Sequence, residues 1–180
     1  MKSARIYKCF ISSPSDTQEE RKICDLVFEE INRTQGEESG FRIESKKWEI
    51  DARPSFGESP QDVINKQLLN DIQLFIGIIS ARFGTPTENY GSGTEEEFYL
   101  AYEKKDDVEI MFYFNNEPAP PDLANPEQKR KVEEFQELIS DHGGLYSNYN
   151  GVDDFKNRLK QHLHKYFAEK EAINREDDIL

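Results

Sequence analysis

Residues 71–80 read Asp-Ile-Gln-Leu-Phe-Ile-Gly-Ile-Ile-Ser, the most apolar segment of this 180-residue chain. A short apolar run without polar alternation is typical of a strand that is buried on both faces of a parallel sheet. The run is far shorter than a membrane-spanning helix requires. We therefore expect residues 71–80 to form the central strand of an α/β sheet.

Strand-like and helix-like segments alternate on both sides of this central segment. Further strands are predicted at 5–12, 41–50, 108–114 and 145–149. Such alternation predicts a parallel sheet with helices on both faces and right-handed crossovers. We expect a flavodoxin-like three-layer sandwich of four to five strands, in the order 2-1-3-4-5. Residues 1–173 form one domain on this interpretation, and 174–180 are a charged tail or the start of a linker.

The charge of the chain limits the kinds of molecule that it is expected to bind. The chain has 23 Lys and Arg against 36 Asp and Glu, giving a net charge of −13. Binding to nucleic acid or to an anionic membrane is therefore not expected. The N-terminus enters a strand without a signal-peptide core, and Cys9 and Cys24 fall in apolar contexts, as reduced core thiols do. We expect a cytoplasmic protein without a metal site.

Residues 91–97 (Gly-Ser-Gly-Thr-Glu-Glu-Glu) form a glycine-rich loop that runs into a predicted helix. Thr94 and Glu97 have the spacing of a capping box, in which the two side chains satisfy the first free amides of the helix. On this interpretation Glu97 only caps the helix. The alternative is that Glu97 does chemistry, because the predicted topology places its helix beside the switch point between the first and third strands, where ligands bind.

The segment 12–16 (Ser-Ser-Pro-Ser-Asp) reaches the same crevice in the predicted topology. The hydroxyls of Ser12, Ser13 and Ser15 can bind phosphate or ribose near a helix N-terminus. Turn chemistry explains the same residues without a ligand, with Asp16 as the N-cap of the first helix. Both interpretations remain open from the sequence.

The segment 80–84 after the central strand carries two further candidates. Arg82 offers a bidentate fork for phosphate, or is simply solvated. Phe83 either stacks on a ring of the ligand or packs into the core. We expect Trp48 to pack beneath the 51–58 loop. The chain has neither a complete dinucleotide fingerprint nor a P-loop.

A single carboxylate suffices for one kind of chemistry, the cleavage of an N-glycosidic bond. The transition state resembles an oxocarbenium ion, which a carboxylate stabilises or attacks at the anomeric carbon. A good leaving group such as nicotinamide lessens the need for a general acid. Glu97 in a phosphate-binding crevice would meet these requirements.

Five segments carry a family resemblance: 10–16 (Phe-Ile-Ser-Ser-Pro-Ser-Asp), 19–21 (Glu-Glu-Arg), 71–78, 82–84 (Arg-Phe-Gly), and 92–98 with Ala101. Together they resemble TIR-like N-terminal domains of bacterial and eukaryotic signalling and defence proteins, in a branch catalogued as a domain of unknown function. The Gly-Thr-x-x-Glu-x-x-x-Ala part is also similar to nucleoside 2-deoxyribosyltransferases, in which the matching Glu is the nucleophile. The tryptophan-centred motif of many catalytic TIR domains is not found here.

The resemblance implies that Glu97 is the catalytic carboxylate of an NAD glycohydrolase that is activated by self-association. NAD is then a substrate, and no cofactor is expected. Expected partners are NAD or a related nucleotide, a second copy of the chain, and a larger multidomain or effector complex. The residues expected to hold the substrate or shape its pocket are Ser12, Ser13, Ser15, Arg82, Phe83 and Thr94.

Two alternatives to an NAD glycohydrolase stay open. One is a nucleoside or nucleotide N-glycosidase, or a deoxyribosyltransferase-like enzyme. The other is a non-catalytic module that binds a protein partner or a nucleotide through the same crevice. Replacement of Glu97 by Gln distinguishes an enzyme from a binding module, since only catalysis requires the carboxylate.

Overall fold

A parallel five-stranded sheet forms the centre of the molecule, which a computed structural model describes over residues 4–47, 51–57 and 59–177. The strands are β1 (Arg5–Ser12), β2 (Phe41–Lys46), β3 (Leu74–Ile79), β4 (Glu109–Asn115) and β5 (Ser147–Tyr149). Their order is β2-β1-β3-β4-β5, which confirms the predicted flavodoxin-like arrangement. Trp48 and the end of the second predicted strand, 48–50, lie outside the described residues.

Helices connect the strands in the expected alternation. They are α1 (Gln18–Ile31), a π-helical segment (Asn32–Gly36), α2 (Glu37–Ser39), α3 (Pro60–Leu68), α4 (Gly93–Tyr102), α5 (Pro126–Asp141) and α6 (Gly151–Asp177). The predicted start of α3 is confirmed, because the Ser59 side chain accepts from the Asp62 amide and Pro60 occupies the first turn. Asn125 caps α5 in the same way.

The sheet is covered on both faces, and β3 shows why its sequence is apolar throughout. All six of its residues are buried. Leu74, Ile76 and Ile78 belong to the core that β1 shares with α1 and α6. Phe75 and Ile79 belong to the second core, with residues of α3, α4 and α5. The central position predicted for this strand is therefore confirmed.

Gly77 interrupts the apolar run of β3 for a steric reason. It pairs with Phe112 of β4, and the Phe112 ring lies across the place where a side chain would stand. A Cβ atom at Gly77 would lie 2.1 Å from that ring. A larger residue would therefore displace Phe112 from the second core.

The last helix extends further than the sequence suggests. The charged residues from 169 onward predict a frayed end of the chain, but α6 continues through Asp177. Glu171 lies on the inner face of this extension, where Arg5 and Tyr7 donate to its carboxylate. The expected fraying is therefore wrong for the described part of the chain, because a partner on β1 neutralises the buried charge. The predicted boundary at residue 173 falls inside α6.

Candidate active site

A cleft of about 970 Å³ opens at the carboxyl ends of β1 and β3. This is the switch point of the strand order, where ligands of doubly wound sheets bind. Its volume is at the upper end of the range of about 300–1,000 Å³ that is typical of small-molecule sites. The cleft therefore has the position and the size of a site for a nucleotide-sized ligand.

Four separate stretches of chain form the walls of the cleft. The first is the β1–α1 loop, and the second is the N-terminus of α3. The third runs from the loop after β3 into the first turn of α4, and the fourth precedes and includes the first turn of α5. The N-termini of α3, α4 and α5 therefore lie at the cleft, and the positive ends of their dipoles favour a negatively charged ligand.

Glu97 lies in the wall of this cleft and is 7% exposed. The Ser12 hydroxyl, at the end of β1, donates to Glu97 Oε2. The amide of Gln61 on α3 donates to Glu97 Oε1 at 2.9 Å. The carboxylate is thus held from two sides by neutral donors of two other elements.

The capping role predicted for Thr94 and Glu97 is wrong. The N-cap of α4 is Ser92, whose side chain accepts from the Glu95 amide at 3.1 Å. Glu95 in turn accepts from the Gly91 amide at 2.7 Å. The N-cap therefore lies two residues earlier than predicted, and Glu97 is left to bind groups from β1 and α3 instead.

Burial raises the pKa of Glu97 to about 7. Loss of hydration disfavours the charged form, and the negative charge of Glu96 adds to this effect. The hydrogen bonds from Ser12 and Gln61 and the positive charge of Arg21 oppose it. A carboxyl group with a pKa near neutrality can exchange a proton, and when ionised it can attack or stabilise a cationic carbon.

Arg21 is a site residue that the predictions did not include. It is 4% exposed, lines the cleft from α1, and donates to Ser13 Oγ at 3.1 Å. This bond orients the Ser13 hydroxyl, which also lines the cleft. The sequence signal for Arg21 is its place in the segment 19–21, which follows the serine-rich loop and carries part of the family resemblance.

Three further predicted site residues also line the cleft: Ser15, Arg82 and Thr94. Ser15 and Arg82 are exposed, whereas Thr94 is buried in the first turn of α4. Ser12 is 1% exposed and does not itself line the cleft. It contributes to the site through its hydrogen bond to Glu97. The structure therefore brings these predicted residues to one place, and their roles stay predictions.

Asp16 shapes the cleft in a way that its predicted capping role did not anticipate. The N-cap position of α1 is Thr17, which makes no capping bond through its side chain. Asp16 Oδ2 instead accepts from the amides of Ala81 and Arg82, at 2.9 and 3.0 Å. The predicted cap is wrong, and Asp16 ties the loop after β1 to the loop after β3.

Phe83 does not line the cleft, which agrees with the core-packing interpretation rather than with stacking on a ligand ring. Its side chain is 4% exposed and packs on Phe135 of α5, with ring centroids 5.3 Å apart. The Phe83 amide donates to the Gln128 side chain at 2.8 Å. The residue anchors its loop in the second core, since a buried aromatic ring stabilises more by packing than it would on the surface.

Gln61 and Asn65 of α3 were also not predicted. Gln61 lines the cleft and bonds both to Glu97 and to Asn65. Asn65 bonds in turn to Glu96. An amide inside a helix has no sequence signal for such a role, because its partners lie on another helix.

The part of the chain that the structure describes contains no group of three or more His, Cys, Asp or Glu residues that could hold a metal ion. None of its helices is long and apolar enough to span a membrane.

The strand order and the cleft define a doubly wound α/β protein with a buried carboxylate at its switch point. The model of one family, described as a domain of unknown function (DUF4062), matches residues 8–164. The chain belongs to this family. A search of curated proteins finds no match.

Among solved structures, the chain is similar to translation elongation factor SelB from Methanococcus maripaludis in its apo form. The TM-score is 0.49 and the sequence identity is 15%. The match covers 90% of this chain and 35% of SelB, so the chain spans about a third of that protein. We draw no functional argument from this similarity.

Proposed function

We propose that this protein is a TIR-like NAD glycohydrolase, in which Glu97 is the catalytic carboxylate. One observation carries the proposal: Glu97 takes no part in the cap of α4 and is instead buried in the cleft wall, held by Ser12 and Gln61. A buried carboxylate at a ligand cleft, with its pKa raised to about 7, is typical of a functional group. The resemblance of residues 92–98 to TIR-like enzymes supports the same assignment.

The reaction breaks the bond between the anomeric carbon of the ribose and the ring nitrogen of nicotinamide. The bonding electron pair stays with nicotinamide, which leaves as a neutral molecule. The ionised Glu97 stabilises the resulting oxocarbenium ion or bonds to its anomeric carbon. Water then attacks the anomeric carbon and displaces Glu97 where that bond has formed, its proton passes to solvent, and ADP-ribose is released.

The remaining cleft residues suit a dinucleotide substrate. The N-termini of α3, α4 and α5 and the exposed guanidinium of Arg82 favour the pyrophosphate. The hydroxyls of Ser13, Ser15 and Thr94 are available for ribose or phosphate oxygens. Together these groups offset the repulsion between an anionic substrate and a protein of net charge −13.

Activity that depends on self-association is part of the proposal. An NAD glycohydrolase that was always active would deplete the NAD of its cell. A module of this class therefore acts within an assembly, either of its own copies or of a larger signalling or defence complex. The dependence of activity on protein concentration tests this part.

The test of the catalytic role is nicotinamide release from NAD at high protein concentration. Glu97→Gln should lower the rate at least about 100-fold, since it keeps the shape of the side chain but removes the charge. Glu103→Gln is the matched control, because it removes the same charge from the exposed C-terminal end of α4. The wild-type rate should rise as pH passes through about 7, where Glu97 ionises.

The same experiment separates the proposal from its alternatives. Release of a base from other nucleosides or nucleotides, but not of nicotinamide from NAD, would move the assignment to a different N-glycosidase or a deoxyribosyltransferase-like enzyme. If forced dimers cleave none of these substrates, and Glu97→Gln binds nucleotides as the wild type does, the catalytic proposal is overturned in favour of a binding module.

A further inference from the structure

Two side-chain amides on α3 connect Glu97 to its neighbour Glu96. Asn65 donates through Nδ2 to Glu96 Oε1 at 2.9 Å. Gln61 donates through Nε2 to Asn65 Oδ1 at 2.9 Å, and the same nitrogen donates to Glu97 Oε1 at 2.9 Å. Gln61 and Asn65 are one helical turn apart, so both face the first turn of α4. We call Glu96, Asn65 and Gln61 the amide relay.

The carboxylate of Glu96 fixes the direction of the bonds in the amide relay. A carboxylate only accepts, so Asn65 turns its NH₂ group toward Glu96 and its oxygen toward Gln61. Gln61 must then present its NH₂ group to Asn65, and this group also meets Glu97. Turning both amides around would bring oxygen against oxygen at Glu96 and again at the ionised Glu97.

Burial makes this directional constraint effective. Asn65 is 9% exposed and Glu97 is 7% exposed. Gln61 and Glu96 are half-buried. Water therefore has little access to Asn65 and Glu97, and a misoriented amide would leave polar atoms of these two residues unsatisfied. The orientation of Gln61 is thus set by residues that lie behind it, away from the cleft.

We propose that Asn65 and Glu96 are positioning residues, which hold the Gln61 amide in the one orientation that donates to Glu97. The inference rests on the proposed function of Glu97 and extends it to two residues that do not line the cleft. A freely rotating Gln61 would serve both protonation states of Glu97, donating to the carboxylate or accepting from the acid. The amide relay excludes the second arrangement and so favours the ionised form that the reaction requires.

The charged groups that act on Glu97 come from two elements. Arg21 on α1 lowers the pKa of Glu97, and Glu96 on α4 raises it by repulsion. Glu96 therefore has two opposed effects, a direct one that disfavours the carboxylate and an indirect one through Asn65 that favours it. Asn65→Leu leaves both charges in place and removes only the indirect effect.

The pKa of Glu97 in the full chain is the quantity that tests the amide relay. It is read from the side-chain carboxyl resonance in NMR spectra of glutamate-labelled protein, with Glu97→Gln to identify the signal. Asn65→Leu should raise this pKa by about 0.5–1 unit, since the acid form then finds an acceptor in Gln61. The rising limb of nicotinamide release should move to higher pH by the same amount.

Gln67→Leu is the matched control for Asn65→Leu. Gln67 is another amide of α3, and its described hydrogen bonds go to the backbone of Arg53, on the opposite side of the helix from the relay. Its loss should leave the pKa of Glu97 unchanged. A shift in this control equal to that of Asn65→Leu would mean that any disturbance of α3 moves Glu97, and the positioning role would be lost.

A folded Asn65→Leu variant whose Glu97 pKa stays within about 0.2 unit of the wild type would overturn the inference. Asn65→Ser takes its place if the leucine variant does not fold, because serine keeps a polar group but is too short for both neighbours. The titration does not depend on turnover, so the relay can fail while the proposed chemistry stands. Equally, a protein that releases no nicotinamide can still show the shift.

Discussion

Strand β1 has a buried glutamate at each of its ends, and the two carboxylates are held in different ways. At the carboxyl end, the described hydrogen bonds to Glu97 come from the hydroxyl of Ser12 and the amide of Gln61. At the amino end, Glu171 is bonded directly to the guanidinium of Arg5 and to the Tyr7 hydroxyl. Burial is similar at the two sites, with exposed fractions of 7% and 4%.

The comparison shows that burial alone does not make a carboxylate functional. A direct cation partner compensates the charge of Glu171 and joins the last helix to the first strand, so this site is structural. Neutral donors only partly compensate the charge of Glu97, and its pKa rises to about 7. A carboxyl group that gains and loses its proton near neutrality, at the wall of a cleft, is suited to chemistry.

Replacing Glu97 by Gln should increase the free energy of unfolding. This is the largest change in stability expected from a substitution at either end of β1. The pKa of Glu97 is about 7 in the folded protein and about 4.3 in the unfolded chain. Protonated Glu97 therefore contributes fully to the free energy of unfolding below about pH 4.3, and this contribution is lost as pH rises through about 7. The neutral variant avoids this loss. Its free energy of unfolding relative to wild type should rise by up to about 3 kcal/mol between pH 4 and pH 8.

Urea unfolding at several pH values measures this difference. Glu103→Gln is the control, because it reports the general effect of removing one negative charge from an acidic protein. A Glu97→Gln variant that is less stable than wild type at pH 8 would mean that the carboxylate is a structural group like Glu171.

Replacing Glu171 by Gln should instead lower the free energy of unfolding. The variant keeps the size of the side chain but removes the charge that faces Arg5. The Arg5 side chain is 43% exposed and can regain water, so the expected loss is about 1–2 kcal/mol rather than the larger loss of a fully buried pair. The midpoint of urea unfolding at pH 8 measures it, with the exposed Glu169→Gln on the same helix as control. Equal midpoints for the two variants would show that the pair contributes little.

Removing the Ser12 hydroxyl should have the smallest effect on stability. Ser12→Ala takes away a donor to Glu97, so the pKa of Glu97 should rise further. The loss of stability should be about 1 kcal/mol at pH 8, where Glu97 is ionised, and smaller at pH 5, where it is protonated. Unfolding at these two pH values measures the difference. A loss of equal size at both would show that the hydroxyl does not discriminate between the two forms of Glu97.

The strand order could be predicted from the sequence because the pattern of elements indicates one fold class, the doubly wound parallel sheet. The apolar run of β3 and the alternation of elements are sufficient, and the caps Ser59 and Asn125 mark two helix starts. The end of α6 could not be predicted in this way. Glu171 is one acid among many charged residues, and its contacts with Arg5 and Tyr7, at the other end of the chain, are not visible in the local sequence.

The candidate site was predicted in part, and the missing part has a physical reason. Residues 92–97 contain two overlapping capping patterns, Ser92 with Glu95 and Thr94 with Glu97. Local helix chemistry does not choose between them. The choice depends on Ser12 and Gln61, which give Glu97 better partners in the folded protein.

The four stretches that build the cleft lie far apart along the chain, and this has a consequence for biosynthesis. The hydrogen bond from Ser12 reaches Glu97 across 85 residues, so it forms only after β1 and β3 have paired and α4 has docked. In a nascent or partly folded chain Glu97 is hydrated, with an ordinary pKa near about 4.3. If Glu97 acts as proposed, incompletely folded chains should leave the NAD of the cell that makes them intact.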